Sequence, residues 1–220
     1  MATSVLPDIG PEAPLYWQEA CRHLMKRDRV MKKLIPQHPG VSLQSRGDAF
    51  VTLARSIVGQ QISVKAAQSV WLRFLALGAT ADAPLQPGWV IALGVEAMRS
   101  AGLSARKCDY LRDLARHFID GEVHESHWSA MDDEAIIEEL VAIRGIGRWT
   151  AEMFLIFHLM RPNVLPLDDL GLIKGISLNY FSGEPVSRAE AREVGDAWAP
   201  FRSVATWYVW RSLDPLPVDY

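Results

Sequence analysis

Cysteine is scarce in this sequence: Cys21 and Cys108 are the only two among 220 residues. Two thiols cannot complete a four-thiolate zinc or iron–sulfur site. They lie far apart in the chain and read as two half-buried free thiols in a reducing compartment. Long apolar runs are missing as well. The best, Met153 to Met160, is interrupted by His158 and stops at Arg161, short of the ~20 residues that a bilayer span needs. The start, Met1-Ala-Thr-Ser-Val-Leu-Pro, has neither the basic opening nor the apolar core of a secretion signal. The cytoplasm is therefore the expected compartment, with no membrane as partner. Positive charge is not in excess either: 23 Lys and Arg stand against 26 Asp and Glu, a formal net charge of −3. Nucleic-acid binders often carry the opposite sign. Any role of that kind must rest on local features, such as backbone amides and a few placed arginines.

What is present is an ordinary globular composition, 49% hydrophobic and 22% charged, long enough for one or two compact domains. The hydrophobic pattern is helical almost throughout. From Tyr16 to Leu34, the residues Trp17, Ala20, Cys21, Leu24 and Met25 share one face and predict a single long helix. Ala49–Val58 and Val64–Leu77 predict two more, broken at Gly59-Gln-Gln-Ile-Ser63, with Ser63 as N-cap. Short helices follow at Val90–Leu93 and Val95–Ala101, then a clear one at Ala105–Asp120. A pair is predicted at Asp133–Ile143 and Arg148–Met160, and further helices at Asp169–Tyr180, from Arg188 onward behind the cap Ser187, and at Phe201–Leu213. The tail from Asp214 reads as an extended end. No alternating strand pattern and no repeat occur, so the expected fold class is all-α, with roughly ten helices.

The most informative stretch is Leu140-Val-Ala-Ile-Arg-Gly-Ile-Gly-Arg-Trp-Thr-Ala151. One helix ends, Gly145-Ile-Gly147 turns the chain, and a second helix begins. Glycines permit positive φ and close approach of a ligand to the backbone. The new helix presents free amides and a positive dipole end, which together seat an anion such as a DNA phosphate. An αα-hairpin with a glycine turn is the plainer alternative. Ile143, Ile146 and Ala151 are the apolar positions that would pack two short helices together. Downstream, Leu165-Pro-Leu-Asp-Asp-Leu-Gly-Leu-Ile-Lys174 puts two adjacent aspartates where a loop becomes a helix. On pattern alone, either one is an N-cap.

Taken together, these pieces resemble the 3-methyladenine DNA glycosylase II family of the helix-hairpin-helix glycosylase superfamily. The resemblance rests on Ser56-Ile-Val-Gly-Gln-Gln-Ile-Ser-Val-Lys-Ala-Ala67, Gly145-Ile-Gly-Arg-Trp-Thr-Ala151, Asp168-Asp169 with Leu172-Ile-Lys174, and Trp198-x-Pro-x-Arg-Ser203 with Trp210. It spans most of the chain from about Tyr16, in a compact form without the N-terminal β-rich domain of larger relatives. The usual proline before the first glycine is Arg144 here, which adds a candidate phosphate contact.

The resemblance implies two helical lobes with a DNA-binding cleft between them: 1–45 with 164–220, and 46–163 carrying the helix-hairpin-helix at about 133–160. It implies Asp169 as the catalytic carboxylate, with Asp168 as a cap or supporting residue. Trp149, Trp210 and Met153 would line the pocket for the flipped base. Gln61, with Ile62 beside it, would be the wedge that fills the gap in the stack. Arg144, Gly145, Gly147, Arg148 and Thr150 would meet DNA phosphate. The carbonyls of Val141, Ile143 and Ile146 would hold a Na+ or K+ ion, and no other cofactor is required.

The chemistry is consistent with that set. Cleaving an N-glycosidic bond builds positive charge on the sugar, which a nearby carboxylate stabilises. An alkylated purine is already a cationic leaving group, so one carboxylate suffices, unlike the paired acids of sugar-polymer hydrolases. The base must first leave the stack. Lyase relatives carry a Schiff-base lysine where Trp149 stands, so hydrolysis without strand cleavage is expected. The partner expected is duplex DNA containing alkylated bases, bound by a monomer. Two other readings remain open on sequence: a non-catalytic hairpin module that only grips DNA, and a glycosylase for oxidised or deaminated bases. Trp17, Trp71 and Trp207 read as core. Arg99, Arg106, Lys107, Arg112 and Arg116 read either as a solvated helix face or as weak phosphate contacts. His124-Glu-Ser-His127 reads as a surface loop.

Overall fold

A computed structural model describes residues 13–45, 47–78 and 84–213. The start before residue 13 and the tail reading from Asp214 lie outside the described residues. Within them the chain is all-helical, with no β-strand. In order, the helices are α1 Trp17–Arg27, α2 Met31–Leu34, α3 Ala49–Gly59, α4 Val64–Leu75, α5 Pro87–Ala92, α6 Val95–Ser100 and α7 Ala105–Ile119. They continue with α8 Asp133–Val141, α9 Arg148–Phe157, α10 Leu170–Tyr180, α11 Arg188–Asp196 and α12 Arg202–Leu213. Short 3-10 turns occupy Ile35–Gln37 and Glu125–Ala130. No described helix is long and apolar enough to cross a membrane.

Two compact units are present, 13–45 with 155–213, and 47–78 with 84–154. The division falls inside α9, whereas the family resemblance implied one after residue 163. The last turn of α9 is apolar, and Phe157 stacks on Trp210 at 5.7 Å between ring centroids, which puts that turn in the first unit.

In the first unit α12 is the centre. Ser203 through Trp210 are all buried, as a helix enclosed on every side requires. Trp17 of α1 meets Trp207 edge-on at 5.3 Å and donates its indole N–H to the Tyr208 hydroxyl at 3.3 Å. Cys21 lies 3.4 Å from the same hydroxyl. Both cysteines are free and fully buried, not half-buried, and burial raises both thiol pKa values. The Tyr16–Leu34 helix expected from periodicity is interrupted. Asp28 is extended (φ −127°, ψ 123°), and its Oδ1 accepts the Val30 and Met31 N–H at 2.7 and 3.0 Å. Its Oδ2 accepts from the Tyr180 hydroxyl at 2.7 Å and the Trp198 indole at 3.1 Å. A capping aspartate pinned by two distant aromatics outweighs a propensity to stay helical.

In the second unit α3 packs on α4 and α7, and α5 on α7. Leu53, Ile57, Phe74, Leu111, Leu114, Trp128, Ile136 and Leu140 fill its core. Side-chain caps set the helix starts: Asp48, Ser63, Ser104 and Asp132 each accept a backbone N–H from the first turn. Each such cap contributes about 1 kcal/mol. Arg112 ties α7 to the end of α5 through the Ile91 and Leu93 carbonyls at 3.3 and 3.2 Å, a structural role for one of the α7 cations. The His124–His127 turn is also structural. His124 and Trp128 both bind Glu139, at 2.7 Å each.

Candidate functional site

Asp169 stands immediately before α10, in extended conformation (φ −80°, ψ 114°), and its side chain is the N-cap. Its Oδ1 accepts the Leu172 N–H at 2.6 Å and the Trp210 indole N–H at 2.8 Å. The residue is 6% exposed. Hydrogen bonds to a charged partner contribute about 1.5–3 kcal/mol each, so this carboxylate is held at one position rather than free to sweep. The positive end of α10 points at it. Trp210 is itself fixed, with its ring against Phe157. The cap is therefore Asp169 and not Asp168. Asp168 is exposed and pairs with Arg188 at 2.6 Å.

Two glycines of α10 make this geometry possible, and the sequence reading passed over both. A Cβ on Gly171 would lie 3.0 Å from Asp169 Oδ1 and 3.4 Å from the Trp210 indole. A Cβ on Gly175 would overlap Val209 of α12. Glycine inside a helix costs about 1 kcal/mol against alanine, and two of them four residues apart were the available signal. They let α10 approach α12 closely enough for the Asp169–Trp210 bond to form.

The hairpin sits in the other unit. Gly145 has φ +88°, and a Cβ there would overlap the Tyr110 ring of α7. Gly147 differs: its φ is ordinary, and nothing lies within 4 Å of where a Cβ would be. The first glycine serves the turn, while the second leaves open space at the start of α9. Ile143 and Ile146 are buried, as their packing role predicted. The Ile143 carbonyl accepts the Ile146 N–H at 3.1 Å.

Arg144 is held on α7. Its backbone N–H and Nε both donate to Asp113 at 2.9 Å. Burial alone would raise the Asp113 pKa, but the bonds and charge of Arg144 outweigh it and set it below the usual value. Arg148 pairs with Glu134 (Nη2–Oε2 2.8 Å) and with the buried Glu152 at 3.0 Å. The two arginines offered as phosphate contacts are thus already paired within the chain. Thr150 is half-buried in the first turn of α9. Trp149 is 37% exposed and Met153 is buried at 8%.

The α3–α4 loop separates two neighbouring glutamines. Gln60 Nε2 donates to the Gly145 carbonyl at 2.7 Å. Gln61 has φ +58° and is exposed, next to Ile62 at 40% exposure. A non-glycine residue in the left-handed region costs about 1–3 kcal/mol and marks a segment held for a purpose. Lys107 supports the last turn of α3 just before that loop, with Nζ donating to the Val58 carbonyl at 2.7 Å; burial lowers its pKa.

A fold of this kind, with a glycine hairpin and a capping aspartate after it, defines a class. The chain belongs to the HhH-GPD superfamily of base excision DNA repair proteins, which its residues 54–200 match. It is 32% identical to DNA-3-methyladenine glycosylase 1 of Schizosaccharomyces pombe, over 86% of this chain and 85% of that one. Among solved structures it is similar to a DNA-3-methyladenine glycosidase from Bacillus halodurans (TM-score 0.82, 34% identity, 89% of each chain). It is also similar to the S. pombe 3-methyladenine DNA glycosylase in complex with abasic DNA (TM-score 0.76, 31% identity, 91% of this chain and all of that one).

Proposed function

We propose that this chain is a DNA glycosylase that extrudes alkylated purines, 3-methyladenine among them, from duplex DNA and hydrolyses their N-glycosidic bond, leaving an abasic site. The observation that carries the reading is the Asp169 carboxylate, buried, fixed by Leu172 and Trp210 on one oxygen and set at the positive end of α10. The names of the relatives support the substrate class, and the abasic DNA bound to one of them supports the product. As the base departs, electron density leaves the sugar. A fixed negative charge nearby lowers that barrier without reorganising, and the same carboxylate orients or deprotonates the incoming water.

Trp149, at the start of α9 and part-exposed, offers an aromatic face to a cationic base, a contact of about 0.5–2 kcal/mol. It has no amine with which to form a Schiff base, so the enzyme acts as a hydrolase without lyase activity. Gln61 fills the vacated place in the stack. The α9 N-terminus and the open side of Gly147 receive a phosphate.

The hairpin carbonyls of Val141, Ile143 and Ile146 form a neutral, all-oxygen donor set of the type that hard cations take. Ile143 spends one lone pair on Ile146 and keeps a second. Bound there, Na+ or K+ would supply a positive charge next to the phosphate.

The test is chromatography of bases freed from methylated duplex DNA by the wild type and by Asp169→Asn. Free methylated base from the wild type alone is expected. Release by the variant at the wild-type rate sinks the assignment.

A further inference from the structure

The end of α3, where the α3–α4 loop begins, and the hairpin share one support. Along one side of α7, Lys107 holds the Val58 carbonyl, the Tyr110 ring lies where a Cβ on Gly145 would be, and Asp113 holds Arg144. These positions are three residues apart and so fall on a common face of the helix. A fourth tie runs between the two supported segments themselves, from Gln60 Nε2 to the Gly145 carbonyl at 2.7 Å. The next residue, Gln61, is exposed in a left-handed backbone conformation. Its side chain makes no hydrogen bond within the described residues, so the backbone of the loop sets where it starts from.

We infer that Gln60 is a positioning residue that acts through Gln61, locking the wedge in register with the phosphate-gripping hairpin. This rests on the glycosylase reading above. The tie matters because the two segments do different jobs on one duplex. The hairpin fixes where the backbone lies, and Gln61 must then meet the gap left by the extruded nucleotide within a few tenths of an ångström. A loop tied to the hairpin carbonyl delivers both together. A loop anchored on α7 alone lets the wedge drift while leaving the grip intact.

The experiment compares wild type, Gln60→Ala, Gln61→Ala and the double variant. Three quantities are read: the dissociation constant for undamaged duplex, the single-turnover release of 7-methylguanine from duplex treated with dimethyl sulfate, and the fluorescence of 2-aminopurine placed opposite an abasic site. Gln60→Ala is expected to lose about tenfold in release rate and most of the fluorescence response, with undamaged-duplex affinity within about twofold of wild type. The double variant should match Gln61→Ala within about twofold, since one residue works through the other. Gln60→Leu, which keeps the volume and lacks the amide, should behave as Gln60→Ala.

Losses that multiply in the double variant overturn the inference, as does equal loss of undamaged-duplex affinity and rate. So does a Gln60→Ala protein that responds like wild type. If the wild type releases no base, the glycosylase reading fails, and the fluorescence arm decides the Gln60 inference alone.

Discussion

The hairpin around Gly145 and the segment around Asp169 are both helix N-termini, yet they are built from opposite materials. At Asp169 the acceptor is 6% exposed, its donors are the Leu172 backbone amide and the Trp210 indole, and that indole ring is itself stacked on Phe157. At the hairpin the arginines are exposed and charged, and they are matched by acids of the same unit, some exposed and some sheltered: Arg144 with Asp113, Arg148 with Glu134 and the buried Glu152. The difference fits the roles proposed for each. A group that stabilises transition-state charge must not move, and low-dielectric packing with neutral donors provides that. A group proposed to grip and release a phosphate must exchange partners, and both guanidiniums stay open to solvent on the side away from their acids.

Substitutions at either place should separate along this line. The largest effect is expected from Asp169→Asn. Base release should fall by at least about 10²–10³-fold, with undamaged-duplex affinity almost unchanged, because asparagine still caps α10. Loss of binding together with release would place Asp169 in the grip and erase the contrast. Gly145→Ala should do the reverse. The Tyr110 overlap and the positive φ together should destabilise the second unit by about 2–3 kcal/mol, read as a fall in thermal midpoint and in duplex affinity. A folded variant with normal affinity would mean that the turn relaxes. Gly171→Ala should reduce single-turnover release about tenfold while folding is kept, since the new methyl group presses on the Asp169–Trp210 bond. An unchanged rate would show that this bond does not set the carboxylate.

The ion pairs should give the smaller effects. The Asp113 pKa is depressed in the folded chain, so its stabilising contribution is complete above the ordinary carboxylate value of about 4. It is lost as pH falls below that value through the lower folded one. Asp113→Asn should therefore weaken the hairpin at neutral pH and flatten the acid limb of a stability–pH curve. An unaltered limb would assign that titration to other acids. Smallest of all, Asp168→Asn breaks only an exposed pair with Arg188. A change under about 0.5 kcal/mol in stability and none in rate is expected. A large loss of rate would move the chemistry one residue upstream.

How much of this was legible beforehand depends on the reach of each interaction. The hairpin could be read from sequence because its requirement is local: Gly145 has a positive φ and its neighbours Ile143 and Ile146 are buried. The caps at Ser63 and Ser187 are local in the same way, each accepting a backbone N–H three residues on. The break at Asp28 was not legible, because its partners Tyr180 and Trp198 lie 152 and 170 positions away. Asp169 itself was chosen over Asp168 by family resemblance alone. Pattern left the two equal, and the bond that distinguishes them comes from Trp210, 41 positions on. The same distance hid Gly171. Gln60 and Gln61 were adjacent and alike in type, and only the backbone shows that one faces the hairpin and the other faces outward.

The acidic balance of the chain gains a meaning from the clamp between Arg144 and Asp113. A guanidinium that arrives already neutralised expels few ions when a nucleic acid replaces its partner. The long-range attraction contributed by this pair is correspondingly weak, which leaves more of the contact at the hairpin to the amide dipoles of the α9 N-terminus. On the proposed function, a clamp of this kind adds little to the hold on intact backbone, which suits a protein that passes over much undamaged DNA for each base it removes.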